Sequence, residues 1–213
     1  MGKTLEEAVK DRILILDGAM GTMIQQYKLE EYDFRGYRYS KTPGMMKGNN
    51  DMLNITRPDV IADIHRKYLR VGADIISTNT FSSQRISQAD YHLEDSAREM
   101  AFLGVQLARK VADEFSTDEK PRFVAASVGP TNKTCSMSPD VSNPAKRDIT
   151  YAELYEAYLE QITAFEEGGA DAILIETVFD TLNAKAAIDA TIEVERRSGR
   201  RMPIMLSITV SDL

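Results

Sequence analysis

The chain has 213 residues, 43% of them hydrophobic and 28% charged, with a formal net charge of −7 and one cysteine. That is long enough for one sizeable core, and the acidic balance argues against nucleic acid or an anionic membrane as the main partner. A single cysteine excludes a disulfide framework, and one thiol with two histidines cannot complete a structural zinc site within these residues.

No stretch approaches the length needed to span a bilayer. Met1 to Arg12 is charged and lacks the apolar core of a secretion signal, so the cytoplasm is the expected compartment. Thr4 to Asp11 reads as a short helix. It leads into Ile13-Leu14-Ile15-Leu16, a short apolar run that fits a fully buried strand. That run ends in Asp17-Gly18-Ala19-Met20-Gly21-Thr22, a carboxylate followed by small residues that let a ligand approach the backbone closely.

Tyr27 to Arg57 has no clear apolar period and reads as an excursion of loops and short helices. An excursion of that length often covers a site. Pro58 to Arg70 fits a helix with proline in its first turn. Gly72-Ala73-Asp74 ends it, and Ile75 to Phe81 is the second strand. A helix from about Ser96 to Phe115 precedes the third strand, Phe123 to Val128, which stops at Gly129-Pro130-Thr131.

A second polar excursion runs from Asn132 to Asp148. Thr150 with Glu153 resembles a capping box opening a helix to about Glu167. Gly169-Ala170-Asp171 then leads into the strand Ala172 to Thr177, echoing Gly72-Ala73-Asp74 before Ile75. A helix from Asp180 to about Arg197 and a strand from Ile204 to Thr209 complete the series. The recurring unit is βα, with short strands buried on both faces, which indicates a parallel sheet. Asp17-Gly18-Ala19-Met20-Gly21 is not the GxGxxG turn of a dinucleotide fold. The expected fold is therefore an α/β (β/α)8 TIM barrel, truncated after about five strands, with residues 1–213 forming its N-terminal part.

In a parallel barrel the C-terminal strand ends gather on one face. Those ends supply Asp17-Gly18, Thr78-Asn79-Thr80, Gly129-Pro130-Thr131, Glu176-Thr177 and Thr209 with Ser211-Asp212, and no lysine or arginine. Asp17 and Glu176, without a cation among these ends, suit a ligand carrying an ammonium group. The plainer alternative is that Asp17 caps a turn and Glu176 meets an arginine from a loop. Cys135 stands in a polar loop with no histidine near it in sequence and reads as incidental. His65 and His92 read as surface or capping residues, and Met20, Met23, Met45, Met46 and Met52 as core and gap filling.

Five runs carry a resemblance: ILDGAMGT, YRYSKTPGMMKGNNDMLNITRPDVI, ADIISTNTFSS, SVGPTNKTCSMSPDVSNPAKRDIT and GGADAILIETVFDTLNAKAA. Together they resemble the N-terminal homocysteine-binding domain of the cobalamin-dependent methionine synthases. NPAKRDIT and FDTLNAKAA look more like that family than like its cobalamin-free relatives, the betaine- and S-methylmethionine-dependent homocysteine methyltransferases.

The resemblance implies a zinc-containing barrel in which homocysteine binds as a thiolate and takes a methyl group from methylcobalamin. The cobalamin would be remethylated from methyltetrahydrofolate. The implied partners are homocysteine and the cobalamin-binding and folate-binding domains of the same full-length chain. Asp17 and Glu176 would meet the substrate ammonium, and backbone groups at Gly18 and Ala19 its carboxylate. Asn79 and Thr80 complete the expected substrate-binding set.

The family's zinc-binding cysteines lie on the sixth and eighth strands, so no metal ligand or catalytic residue is expected in this chain, which should be inactive alone. A cobalamin-free methyltransferase and a non-catalytic barrel fragment with an interaction role stand as alternatives.

Overall fold

The computed structural model describes residues 2–210, so the expected strand-end residues Ser211 and Asp212 lie outside the described residues. Four parallel strands form one sheet in the order β1-β2-β3-β4: β1 (Ile75–Ser77), β2 (Phe123–Val128), β3 (Ala172–Val178) and β4 (Ile204–Ile208). Ile76 pairs with Val124, Ser127 with Leu174 and Ile175 with Leu206. Nine α-helices are present among the described residues: α1 (Leu5–Asp11), α2 (Met20–Gln25), α3 (Glu31–Arg35), α4 (Leu53–Thr56), α5 (Pro58–Arg70), α6 (Arg85–Gln88), α7 (Ala97–Phe115), α8 (Tyr151–Gly168) and α9 (Thr181–Ser198). None of them is long and apolar enough to cross a membrane.

The long helices start where local chemistry says they should. Pro58 opens α5, where its missing N–H costs nothing. Thr150 caps α8 in a reciprocal box, its hydroxyl taking the Glu153 N–H and its own N–H going to the Glu153 carboxylate. Asp180 caps α9 by accepting the Leu182 N–H at 2.9 Å. Helix α5 packs on β1, α7 on β2 and α9 on β3, while α8 lies between α7 and α9; β2 is buried at every position, and the main core lies between the helices and the sheet. An α/β parallel arrangement follows, as the sequence pattern predicts. It is barrel-like in order and direction, with four strands in the described sheet.

The first apolar run departs from expectation. Ile13 to Leu16 is not a buried strand: it forms a single parallel bridge, Leu16 to Ile75, and its Ile15 carbonyl takes the N–H groups of Asp74 and Ile75. Ile13 and Ile15 are 85% and 56% exposed. The run lies at the edge of the sheet, and no described strand covers its outer side. Leu206 and Ile208 of β4 are exposed at the other edge for the same reason.

The excursion from Tyr27 to Arg57 folds as α3, a 3₁₀ turn at Asn50–Met52 and α4, and shelters a second core around Phe34, Met46, Met52, Leu53 and Ile64. Met20 and Met23 pack against that core, but Met45 is 72% exposed, contrary to the expectation of gap filling. The Glu31 carboxylate takes the N–H groups of Met46 and Lys47, which turns Met46 inward and leaves Met45 outside.

His65 is also corrected. It is fully buried on the inner face of α5, and neither ring nitrogen has a hydrogen-bond partner among the described residues. Burial alone pushes its pKa down to about 4. His92 is exposed and closes the 3₁₀ turn Ala89–Tyr91 in a left-handed conformation, a capping role.

Candidate ligand-binding cleft

The C-terminal ends of the strands open into a cleft of about 500 Å³. Asp17 enters it from the end of the edge run, and Glu176 from β3. The Asp17 Oδ1 accepts from Ser77 twice, from N–H at 3.0 Å and from Oγ at 2.8 Å. Its other oxygen, Oδ2, is buried and has no partner among the described residues. Glu176 Oε1 accepts from the Ser127 hydroxyl at 2.5 Å.

Burial pushes the Asp17 pKa up to about 7; the two Ser77 bonds oppose that, and the negative charge of Glu176 adds to it. The two acids are therefore electrostatically coupled. Thr177, directly after Glu176, has a φ of +56°, an outlier for a β-branched residue. It sits where the β3–β4 register shifts between Ile175 and Val178, an irregularity that re-aims the side chains beside it.

Gly18 and Ala19 line the cleft just before α2. Asn79 lines it too, but its amide N–H₂ is committed to the Asn50 carbonyl at 2.7 Å and to Asn54 Oδ1 at 3.3 Å. Thr80 does not line it. Thr80 is fully buried, and its hydroxyl bonds the Ser127 carbonyl at 2.9 Å and Thr78 at 2.6 Å. Contact with a ligand is closed to Thr80, which instead braces β2 beneath the site. The close packing there needs glycine at 104, because a Cβ at that position would stand 2.5 Å from Thr80 Cγ2 and 2.6 Å from Asn54 Nδ2.

Ser77, Ser127 and Asp51 belong to the cleft and were not singled out from the sequence. Asp51 is 5% exposed; burial raises its pKa to about 6, against the hydrogen bonds from Ser83 and Ser82. The only signal was the unpatterned polar run Gly48-Asn49-Asn50-Asp51, which marks a loop without saying what it faces. No lysine, arginine or histidine among the described residues lines the cleft. Asp17 and Glu176, with no cation beside them, give the cleft a negative potential.

The residues do not fit a zinc site. No group of three His, Cys, Asp or Glu side chains among the described residues is placed to hold a metal. Cys135 is buried, its N–H bonds Asn183 Oδ1 at 3.1 Å, and burial pushes its thiol pKa up, against the thiolate a metal needs.

Solved structures of the homocysteine methyltransferase MmuM from Escherichia coli share this fold. The oxidized form superposes with a TM-score of 0.71 at 21% identity, covering 99% of this chain and 67% of that one. The metallated form gives 0.70 at 21% identity, with coverage of 96% and 66%, and the apo form 0.63 at 21% identity, with 96% and 62%. The present chain thus spans about two thirds of the length of those proteins. A model of the homocysteine S-methyltransferase family matches residues 14–213, nearly the whole length, and the chain belongs to that family.

Proposed function

We propose that these residues form the amino-acid-binding half of a homocysteine methyltransferase site, in a protein of the cobalamin-dependent methionine synthase type. One observation carries the reading: Asp17 presents a buried, unpartnered carboxylate oxygen beside Glu176, in a cleft with no lining cation among the described residues. A substrate ammonium would supply the missing donor and relieve the repulsion between the two acids. Backbone at Gly18 and Ala19 would meet the α-carboxylate, and the sulfur would extend away from the acids.

The residues here bind and orient; the implied zinc has no donor set among them. The methyl donor is assigned to methylcobalamin on the strength of the runs NPAKRDIT and FDTLNAKAA. The cobalamin- and folate-binding domains and the cytoplasmic location are part of the same proposal.

Calorimetric titration with L-homocysteine and with 4-mercaptobutyrate, which lacks only the amino group, tests it. Homocysteine should bind and 4-mercaptobutyrate should not. Asp17→Asn and Glu176→Gln should each weaken homocysteine. Equal binding of the two thiols would remove the ammonium role.

A further inference from the structure

The wall of the cleft formed by Gly48 to Asp51 has almost no regular structure; a single 3₁₀ turn begins at Asn50. Side-chain bonds hold it in place, and they run to the turn after β1. Asn49 and Gln88 exchange amide bonds at 2.7 and 3.3 Å. Gln88 Nε2 donates to the Ser82 carbonyl at 3.0 Å. Asp51 Oδ1 accepts the Ser82 N–H at 2.8 Å and the Ser83 hydroxyl at 2.7 Å. Asn49, Gln88, Ser82 and Asp51 thus form a chain of hydrogen bonds that the backbone from Asn49 to Asp51 closes into a ring, with Asn49, Asp51 and Gln88 all buried.

Asp51 is the only charged member of that ring. Bonds to an ionised acceptor are roughly twice as strong as neutral ones, and a carboxylate this deep is costly unless such bonds compensate it. Both of its donors come from the turn that carries Phe81 and Ser82 into the cleft.

We propose that Asp51 is a positioning residue: it clamps the turn Phe81–Ser83 against the segment Gly48–Asp51 and so fixes the second wall of the cleft around the bound amino acid. The ligand part of this inference rests on the homocysteine reading above. The clamp itself does not. It acts through Ser82 and Ser83, which it holds in the geometry that binding needs, and small losses of such geometry carry large penalties.

The test compares Asp51→Ala, Asp51→Asn and Ser83→Ala with the parent chain, by amide hydrogen exchange over residues 81–83 and by homocysteine titration, each at a temperature where thermal unfolding shows the variant folded. Asp51→Ala should speed exchange at Ser82 and weaken homocysteine roughly tenfold. Asp51→Asn still offers an oxygen to both donors, through bonds about half as strong, and should recover part of that loss. Ser83→Ala, which removes one donor, should fall between the parent and Asp51→Ala.

Unchanged exchange at Ser82 in Asp51→Ala overturns the clamp. So does homocysteine affinity equal to the parent's, or a loss in Asp51→Asn as large as in Asp51→Ala, since the charge itself would then face the ligand. If the parent chain binds no homocysteine, the functional reading fails on its own, and the exchange comparison still decides the clamp.

Discussion

Asp17 and Glu176 face the same cleft, and each is held by a serine hydroxyl from the neighbouring strand, Ser77 of β1 for Asp17 and Ser127 of β2 for Glu176. The serines fix one oxygen of each acid. Asp17 Oδ2 has no partner among the described residues, so above its pKa of about 7 the acid carries a charge that those residues do not neutralise.

Replacing Asp17 should therefore stabilise the protein while removing binding. Its pKa in the fold is about 7 against a usual 3.8, so the folded state holds the proton more tightly than the unfolded chain. Ionisation destabilises the fold above pH 7, and that cost fades as the pH falls from 7 toward 4. Asp17→Asn should gain on the order of 2 kcal/mol in urea unfolding at pH 8, with the gain shrinking near pH 4. Equal stabilities at pH 8 would contradict the buried, unpartnered carboxylate.

Homocysteine affinity should rise with pH through the same ionisation. An ammonium needs the charged form of Asp17, whose pKa lies near 7, so affinity should climb about tenfold between pH 6 and pH 8. Glu176→Gln removes a neighbouring negative charge that raises the Asp17 pKa. The midpoint of the pH profile should then move to lower pH, even as the affinity at its plateau drops. Calorimetry across that range reads both effects, and an unmoved midpoint would uncouple the two acids.

His65 should make the protein acid-sensitive. Its pKa is lowered from 6.5 to about 4, so the unfolded chain takes up the proton first. Stability from this residue is complete above pH 6.5 and is lost as the pH falls from there toward 4. At pH 5 the loss is about 2 kcal/mol relative to pH 8. His65→Leu lacks that term. The test is the difference in unfolding free energy between the two proteins at pH 8 and pH 5, which cancels the opposing contribution of the buried acids.

Gly104→Ala should destabilise the protein although alanine favours a helix. The new methyl would meet Thr80 and Asn54 at 2.5 and 2.6 Å, and Asn54 is committed to the carbonyls of Asn79 and Met100. Overpacking costs about 1–3 kcal/mol against a helix-propensity gain of about 1 kcal/mol. The net loss should appear in thermal unfolding, accompanied by weaker homocysteine binding because Asn79 lines the cleft. A stabilised variant would mean that Thr80 and Asn54 yield freely.

The sequence by itself determined what short-range chemistry decides. Pro58, the Thr150–Glu153 box and Asp180 fixed where three helices begin, because caps satisfy backbone groups within one turn. Phe123 to Val128 had to be a strand buried on both faces, since all of it is apolar or small. Asp17 and Glu176 stood out because each ends an apolar run.

The tertiary structure alone decided which of those runs is covered, and by what. Ile13 to Leu16 has the composition of a core strand, yet burial depends on a neighbour on each side, and one side is open among the described residues. His65 looks like any polar residue on a helix, but α5 packs against α7, α4, α2 and β1, and His65 is left fully enclosed. Thr80 is bound to Thr78 and Ser127 because the chain leaves the sheet after Ser77, a path no residue pattern specifies. Asp51 entered the site only through the fold. Its partners Ser82 and Ser83 lie some thirty positions further along the chain, and bonds across such separations depend on the folded path rather than on any local period.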